Sequence, residues 1–364
     1  MPRKKSKSVA ADIVEGRNKK KTKRETHYLS TGCTVWNLAC SERADGGFAT
    51  GSIINTIGDS SAGKTLGTLT TLAEACIDPF FDDYKIIYDD AEHRNRFDMN
   101  GMFGEELDKR VQPPKTDDDG EPVFSKTVEE FCMYLRRNLE EGPCIYVLDS
   151  FDSIGSIGDE KHADAVYDAL EKDKDVPGSY SGTKQKWFSE QMGGKISTLL
   201  EDTGSIVIII SQTRDNINAG LFAPKNRRSG GRALKFYADI EQWLAVKETI
   251  KKTYNGKPRV IGLLTSLKMT KNSFHGKLRN VDIPIRYNYG VDDVRSCIEF
   301  LISEKVWKGT KTKVMAKELD FNGTIEDLIE EIEEDDLEED VREMVEDTWL
   351  AVEEALKPNR KKRY

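Results

Sequence analysis

The stretch SIINTIGDSSAGKT, Ser52 to Thr65, decides the fold. A β-branched apolar run, Ile53, Ile54 and Ile57, ends at Gly58. From there GDSSAGKT satisfies G-x-x-x-x-G-K-[ST] in full. Leu66 to Cys76 then carries helix-forming residues, so the motif stands between a strand and a helix. Gly58, Asp59, Ser60, Ser61, Ala62 and Gly63 are short enough for successive backbone N–H groups to wrap an anion. The helix that follows turns its positive end toward the same point. Lys64 is placed to reach the β- and γ-phosphates of a nucleotide, and the Thr65 hydroxyl to ligate Mg²⁺. The plainer reading, a glycine-rich turn with an unrelated lysine, leaves the strand before and the helix after unexplained.

Working outward, KIIYDD (Lys85 to Asp90), CIYVLD (Cys144 to Asp149) and SIVIIIS (Ser205 to Ser211) repeat the pattern of a short apolar burst ending in polar or small residues. Strands apolar at consecutive positions, separated by helix-forming segments, indicate a parallel sheet covered on both faces. The class is α/β. Such sheets bind ligands beyond the carboxyl ends of their strands, where Asp149, Asp89, Asp90 and Glu92 fall. A carboxylate at Asp149 can complete an Mg²⁺ shell opposite Thr65. Hydrolysis also needs a carboxylate that orients water in line with the γ-phosphorus. Glu92 is the candidate, although solvated acids capping a strand would read the same.

After Gly231 the connections shorten. IEQWLAVKE, VIGLLTSLKM and VDIPIRYN read as strands of an antiparallel extension of the same sheet, with Tyr254 to Pro258 (YNGKP) as a hairpin turn. A helix is expected over Asp292 to Lys305, then a linker of threonines and lysines. From Thr324, Leu328, Ile329, Ile332, Val341, Val345, Trp349, Val352 and Leu356 recur at helical spacing. That predicts an acidic amphipathic helix or helix pair, with Thr324 and Asp327 capping its start. Residues 1–28 form a basic arm, read either as a disordered tail or as a short helix that docks a neighbour or touches phosphates.

The net charge is −9, with 33% charged and 37% hydrophobic residues. The balance excludes a uniformly basic nucleic-acid binder, but charge is segregated: Met1 to Arg24 is basic and Glu326 to Asp347 acidic. Six scattered cysteines without a C-x-x-C pair suit a reducing, cytosolic setting. Ile206 to Ile210, the longest apolar run, is too short for a membrane span. No apolar segment follows the basic N-terminus as a secretory signal would require. A soluble, cytoplasmic protein is expected.

The order of STG (Ser30 to Gly32), GSIINTIGDSSAGKT, YDDAEH, CIYVLDS, IIISQTRDNI and SGGRALKFYADI resembles the core of the RecA recombinase family. DAEH and GGRALKFYA carry the likeness beyond the wider P-loop class. It covers about seven-tenths of the chain, Leu29 to Gly290. It looks closest to bacterial and phage members, since a eukaryotic-type N-terminal helical domain is missing. The resemblance implies a RecA-like P-loop NTPase core over 29–290, flanked by the basic arm and by a helical, acidic region over 291–364 with a basic end. It implies Glu92 as the water-activating carboxylate and Gln212 as the γ-phosphate sensor that couples ATP to DNA. The segment after Gln212, TRDNINAGLFAPKNRRSGGRALKFYA, is similar to the family's loop along single-stranded DNA. Its candidate contacts are Arg214, Lys225, Arg227, Arg228, Gly230, Gly231 and Arg232, with Phe222 as a wedge between bases. Cations and backbone N–H groups on a loop suit phosphates; without the flanking motifs it would read as a solvated basic loop. Ile154 to Lys186 would supply a first DNA-facing loop, longer and more acidic than usual.

LTSLKMTKNSFHGK resembles the strand that reaches a neighbouring subunit's ATP with two lysines. Lys271 and Asn272 match, whereas Ser273 stands where the second lysine is expected; Lys268 or Lys277 are substitutes. The implied activity is DNA-dependent ATP hydrolysis with Mg²⁺, filament growth on single-stranded DNA, and pairing with a homologous duplex, with a single-strand-binding or loader protein as a further partner. A ring-forming RecA-fold helicase or branch-migration motor and a non-exchanging recombination accessory are the competing readings. A single continuous core without zinc-finger cysteines or a protease-like module favours the strand-exchange reading.

Overall fold

A computed structural model describes residues 26–172, 183–215, 226–228 and 231–361. Four apolar bursts form the centre: Ile53–Gly58 (β1), Lys85–Asp89 (β2), Cys144–Leu148 (β3) and Ile206–Asp215 (β4). They are parallel, with β1 beside β4, β4 beside β3 and β3 beside β2. Alternate side chains enter different apolar clusters. Ile54, Ile86, Ile145 and Ile208 face one side with Trp36, Leu69 and Leu72. Ile53, Ile87, Tyr146 and Val207 face the other with Phe131, Leu135 and Phe188. A strand buried on both faces cannot alternate apolar with polar, hence the unbroken runs.

Helices cover both faces: Thr34–Ser41 (α1) and Lys64–Ile77 (α2) on the first, Val128–Glu141 (α3) on the second. The Thr127 and Glu130 side chains start α3 as a capping box. On the far side of β1, Ile240–Tyr254 (β6, counting Asn226–Arg228 as β5) pairs in parallel through Ile240 to Leu244. Lys257–Asn272 (β7), Asn280–Arg286 (β8) and Gly290–Val291 (β9) then continue the sheet antiparallel. Asn255 and Gly256 join β6 to β7 at positive φ, 51° and 71°, as a two-residue primed hairpin turn requires. The α/β class with its antiparallel extension is therefore the observed architecture.

Three expectations change. Among the described residues of the stretch Ile154 to Lys186, Ile157–Glu171 (α4) is a helix started by a Ser156–Asp159 capping box, and Thr183–Gln191 (α5) begins another. Its acids favour an amphipathic surface helix over an extended loop. The long segment after Gln212 does not leave the sheet at once, because β4 runs on to Asp215 and pairs antiparallel with β5. The threonine–lysine linker is in fact the start of a three-stranded antiparallel sheet, Lys308–Gly309 (β10), Lys313–Ala316 (β11) and Phe321–Thr324 (β12). Alternation in Lys313–Ala316 buries Val314 and Ala316 while Lys313 and Met315 face out.

The C-terminal stripe forms a helix pair, Ile325–Glu334 and Glu338–Ala355, behind the helix Asp293–Ser303. Thr324 and Asp327 cap the first of the pair as expected. Leu301, Leu328, Ile332, Val345 and Trp349 join the cluster that holds Leu38 and Leu69. Ion pairs tie the acids down: Arg286 and Arg295 to Glu326 at 2.5 and 2.8 Å, and Lys277 and Arg279 to Glu353 at 2.8 and 2.5 Å. Among the described residues, no helix is long and apolar enough to cross a membrane.

Candidate active site

The carboxyl ends of β1, β4, β3 and β2 lie side by side, Gly58 opposite Gln212 and Leu148 opposite Asp89. Gly58 and Gly63 are glycines for steric reasons. A Cβ on Gly58 would stand 2.4 Å from the Leu244 carbonyl of β6, and Gly63 takes φ +89° where α2 begins. Between them, Ser61 also has positive φ. The Lys64 ammonium donates to the carbonyls of Gly58 and Asp59 at 2.8 and 2.7 Å. Burial lowers its pKa against the pull of Asp149 and Glu92.

Asp149 accepts hydrogen bonds from the Thr65 hydroxyl at 2.8 Å and the Tyr88 phenol at 2.7 Å. Burial pushes its carboxyl up, opposed by these two donors. A hydroxyl and a carboxylate in contact are the hard oxygen donors that Mg²⁺ takes from protein beside phosphate. The residues present fit that ion.

The three acids of YDDAEH separate by environment. Asp89 is fully buried and accepts from the Ser125 amide at 2.9 Å, the Ser125 hydroxyl at 2.6 Å and the Tyr146 phenol at 2.8 Å. It anchors the segment leading into α3. Asp90 caps a turn through the amides of Arg94 and Asn95 at 3.2 and 3.1 Å. Glu92 accepts from the Ser150 hydroxyl at 2.5 Å and the Gln212 amide at 2.7 Å. Burial raises its pKa, but hydrogen bonds from Ser150, Gln212 and Ser153, with the Arg94 charge, bring it below the ordinary value. Of the three, it is the one joined to β4.

Two contacts here carried no sequence signal. Thr213 donates to the Asp59 carboxylate, bridging the glycine-rich loop to the strand beyond Gln212. The Gln212 backbone N–H donates to the Asp152 carboxylate at 2.6 Å. Tyr88 was also missed, although a polar tip beside a strand-end acid is the kind of residue that could have been sought.

A family model described as the RecA N-terminal domain matches residues 162–292. The protein named RecA of Streptococcus gordonii is 24% identical over 297 residues, covering 80% of this chain and 70% of its own. RecA proteins of Streptococcus uberis and Streptococcus pyogenes serotype M1 are 25% identical over 289 residues, 78% of this chain and 68% of theirs. The chain is thus similar to RecA proteins over most of its length.

Other residues singled out by the RecA resemblance lie away from the glycine-rich loop or outside the description. Lys225 and Gly230 fall outside the described residues, as do 1–25 of the basic arm. Register pairs Arg214 with Arg227 and Thr213 with Arg228 between β4 and β5. Gly231 and Arg232 open the helix Gly231–Tyr237. Lys271 lies opposite Glu241, near the amino end of β6, so it is at the other edge of the sheet from Gly58. Its ammonium donates to the carbonyls of Lys235 and Phe236 at 3.0 and 2.8 Å, capping that helix. Lys268 is exposed, and Lys277 is engaged by Glu42 and Glu353.

Proposed function

We propose that this chain is an ATPase driven by single-stranded DNA, which it coats as a helical filament and pairs with a homologous duplex. The observation that carries the reading is the 2.7 Å hydrogen bond from Gln212 to Glu92. It joins a carboxylate suited to water orientation to the strand that enters the basic segment.

In this reading the ATPase core is 29–290, flanked by the arm 1–28 and the region 291–364. The amides of Asp59 to Thr65 and the Lys64 ammonium cradle the nucleotide's phosphates. Thr65 and Asp149 would hold Mg²⁺, which would supply neutralisation of phosphate charge. Glu92 accepts a hydrogen bond from the attacking water. Its low pKa makes it better at orienting that water than at holding its proton, which suits a loose phosphoryl-transfer transition state. Gln212 senses the γ-phosphate and trades contacts with Glu92. β4 and β5 carry that change to Arg214, Lys225, Arg227, Arg228 and the Gly230, Gly231, Arg232 turn, which meet DNA phosphates. Lys271, too far along the sheet for its own glycine-rich loop, serves the nucleotide of an adjoining copy.

The test measures ATP turnover with and without single-stranded DNA in the parent and in Gln212→Ala. The parent should be stimulated by DNA and the variant should lose that stimulation while still binding nucleotide. A parent indifferent to DNA would sink the reading. Electron microscopy with a non-hydrolysable nucleotide should show open filaments, whereas closed rings would point to a motor. Strand-exchange assays then distinguish a recombinase from an accessory protein.

A further inference from the structure

Beyond Leu244, the partner of Gly58, β6 loses its parallel neighbour, and beyond Gly262 β7 loses β8. The two strands continue alone to the Asn255–Gly256 turn, past the edge that holds the glycine-rich loop. The ten residues of strand beyond Leu244, ending at Tyr254, reach about 30 Å at about 3.3 Å per residue. Every residue from Lys251 to Val260 is exposed. A two-stranded ribbon is marginal by itself, and no core residue explains why the chain extends it so far. Among the described residues, ion pairs brace only its base, Lys247 to Asp282 and Lys311 to Glu248, both at 2.5 Å.

The outer part is charged on a pattern. Register sets Lys252 opposite Arg259 and Tyr254 opposite Lys257. Directly opposed residues share a face, so this face holds three cations and a tyrosine that is 67% exposed. Lys251 lies on the other face, opposite Val260. Among the described residues, Lys251, Lys252, Lys257 and Arg259 form no ion pair, although the chain is acidic overall. Like charges directly opposed across strands are destabilising, a cost that a bound polyanion removes.

We propose that this ribbon is a duplex-DNA contact, separate from the basic segment after Gln212. The proposal rests on the DNA-dependent function above and assigns the second nucleic acid to a place. Shape selects the duplex. The major groove of B-form DNA admits a two-stranded β-ribbon, and cations on both faces of a thin ribbon meet phosphates on both groove walls. A single strand offers no such walls.

The experiment uses the full chain and the triple variant Lys252→Ala, Lys257→Ala, Arg259→Ala. Fluorescence anisotropy follows a labelled duplex and an oligo(dT) of equal length across a salt series. Duplex binding should weaken, and its log–log salt slope should become shallower by about 2 to 3 units, at about 0.9 per contact. Oligo(dT) binding and the ATP turnover it drives should stay within about twofold, since no counterion release is lost on that strand. A variant with Lys252→Arg, Lys257→Arg and Arg259→Lys should behave as the parent. An unchanged duplex slope, while the parent binds DNA, overturns the ribbon alone. Equal losses on duplex and oligo(dT) overturn its assignment to the duplex. A parent that binds neither nucleic acid overturns the function reading with it.

Discussion

Glu92 and Glu353 are glutamates taken partly or largely out of water and held below the ordinary carboxylate pKa, by different means. Around Glu92, burial acts upward and neutral donors, Ser150 and Gln212 first, outweigh it. Around Glu353, the Arg279 guanidinium and then the Lys277 ammonium take the pKa to about 2. Neutral donors orient a carboxylate without cancelling its charge, which leaves it able to polarise water. Paired cations cancel the charge and fasten one element to another, here the last helix to the β7–β8 connection. The same residue type is therefore left charged and oriented at one site and paired for attachment at the other.

Substitutions can break this contrast. The largest effect is expected from Lys64→Ala, which removes the cation of the glycine-rich loop. ATP hydrolysis should vanish and nucleotide binding weaken, whereas parent-like turnover would discard the phosphate-loop assignment. Glu92→Gln should slow hydrolysis by about two to four orders of magnitude. Nucleotide binding and melting temperature should stay close to the parent's. If Asp90→Asn is inactive instead, the working carboxylate has been misassigned.

Replacing Lys225, Arg227 and Arg228 by alanine should weaken single-strand binding about equally across sequences. Its salt slope should flatten by up to about two units, at about 0.7 per contact. An unaltered slope would return that segment to solvent.

Glu353→Gln should show the opposite profile from Glu92→Gln, with hydrolysis intact and stability reduced by about 2 kcal/mol at neutral pH. That is below the full linkage value, because the Arg279 and Lys277 side chains are 31% and 34% exposed. A folded pKa below the unfolded 4.5 contributes stability above 4.5, lost as pH falls through about 2. Denaturant midpoints for parent and variant should thus converge near that acid limit. A constant gap down to low pH would show that the loss comes from packing.

The smallest effect concerns the exposed acids Glu330, Glu333, Glu334 and Asp335 on and after the first C-terminal helix. Neutralising them should speed association with duplex DNA a few-fold at low salt and hardly at all at high salt. Lost stability without faster binding would make the segment structural only.

The local order of residues by itself determined the parallel strands, the glycine-rich loop, the hairpin turn and the Thr324 cap. Each depends on neighbours a few positions apart: continuous apolar runs, a glycine at positive φ, a hydroxyl three residues before an acid. The candidates Lys64, Thr65, Asp149 and Glu92 were picked out for the same reason, as strand-end or loop residues beside such patterns, and Gln212 through the family resemblance. Only the tertiary structure decided how Asp89, Asp90 and Glu92 divide their work. Their separation depends on Ser125, Tyr146, Ser150 and Gln212, brought in from other elements. It also turned the threonine–lysine linker into a sheet, because β10 and β12 find partners only through β11. It set Lys271 at the opposite edge from the glycine-rich loop, since register along a strand converts a few residues into many ångströms. Hydrogen bonds and ion pairs between distant segments are fixed by packing, and a linear pattern holds no record of which segments meet.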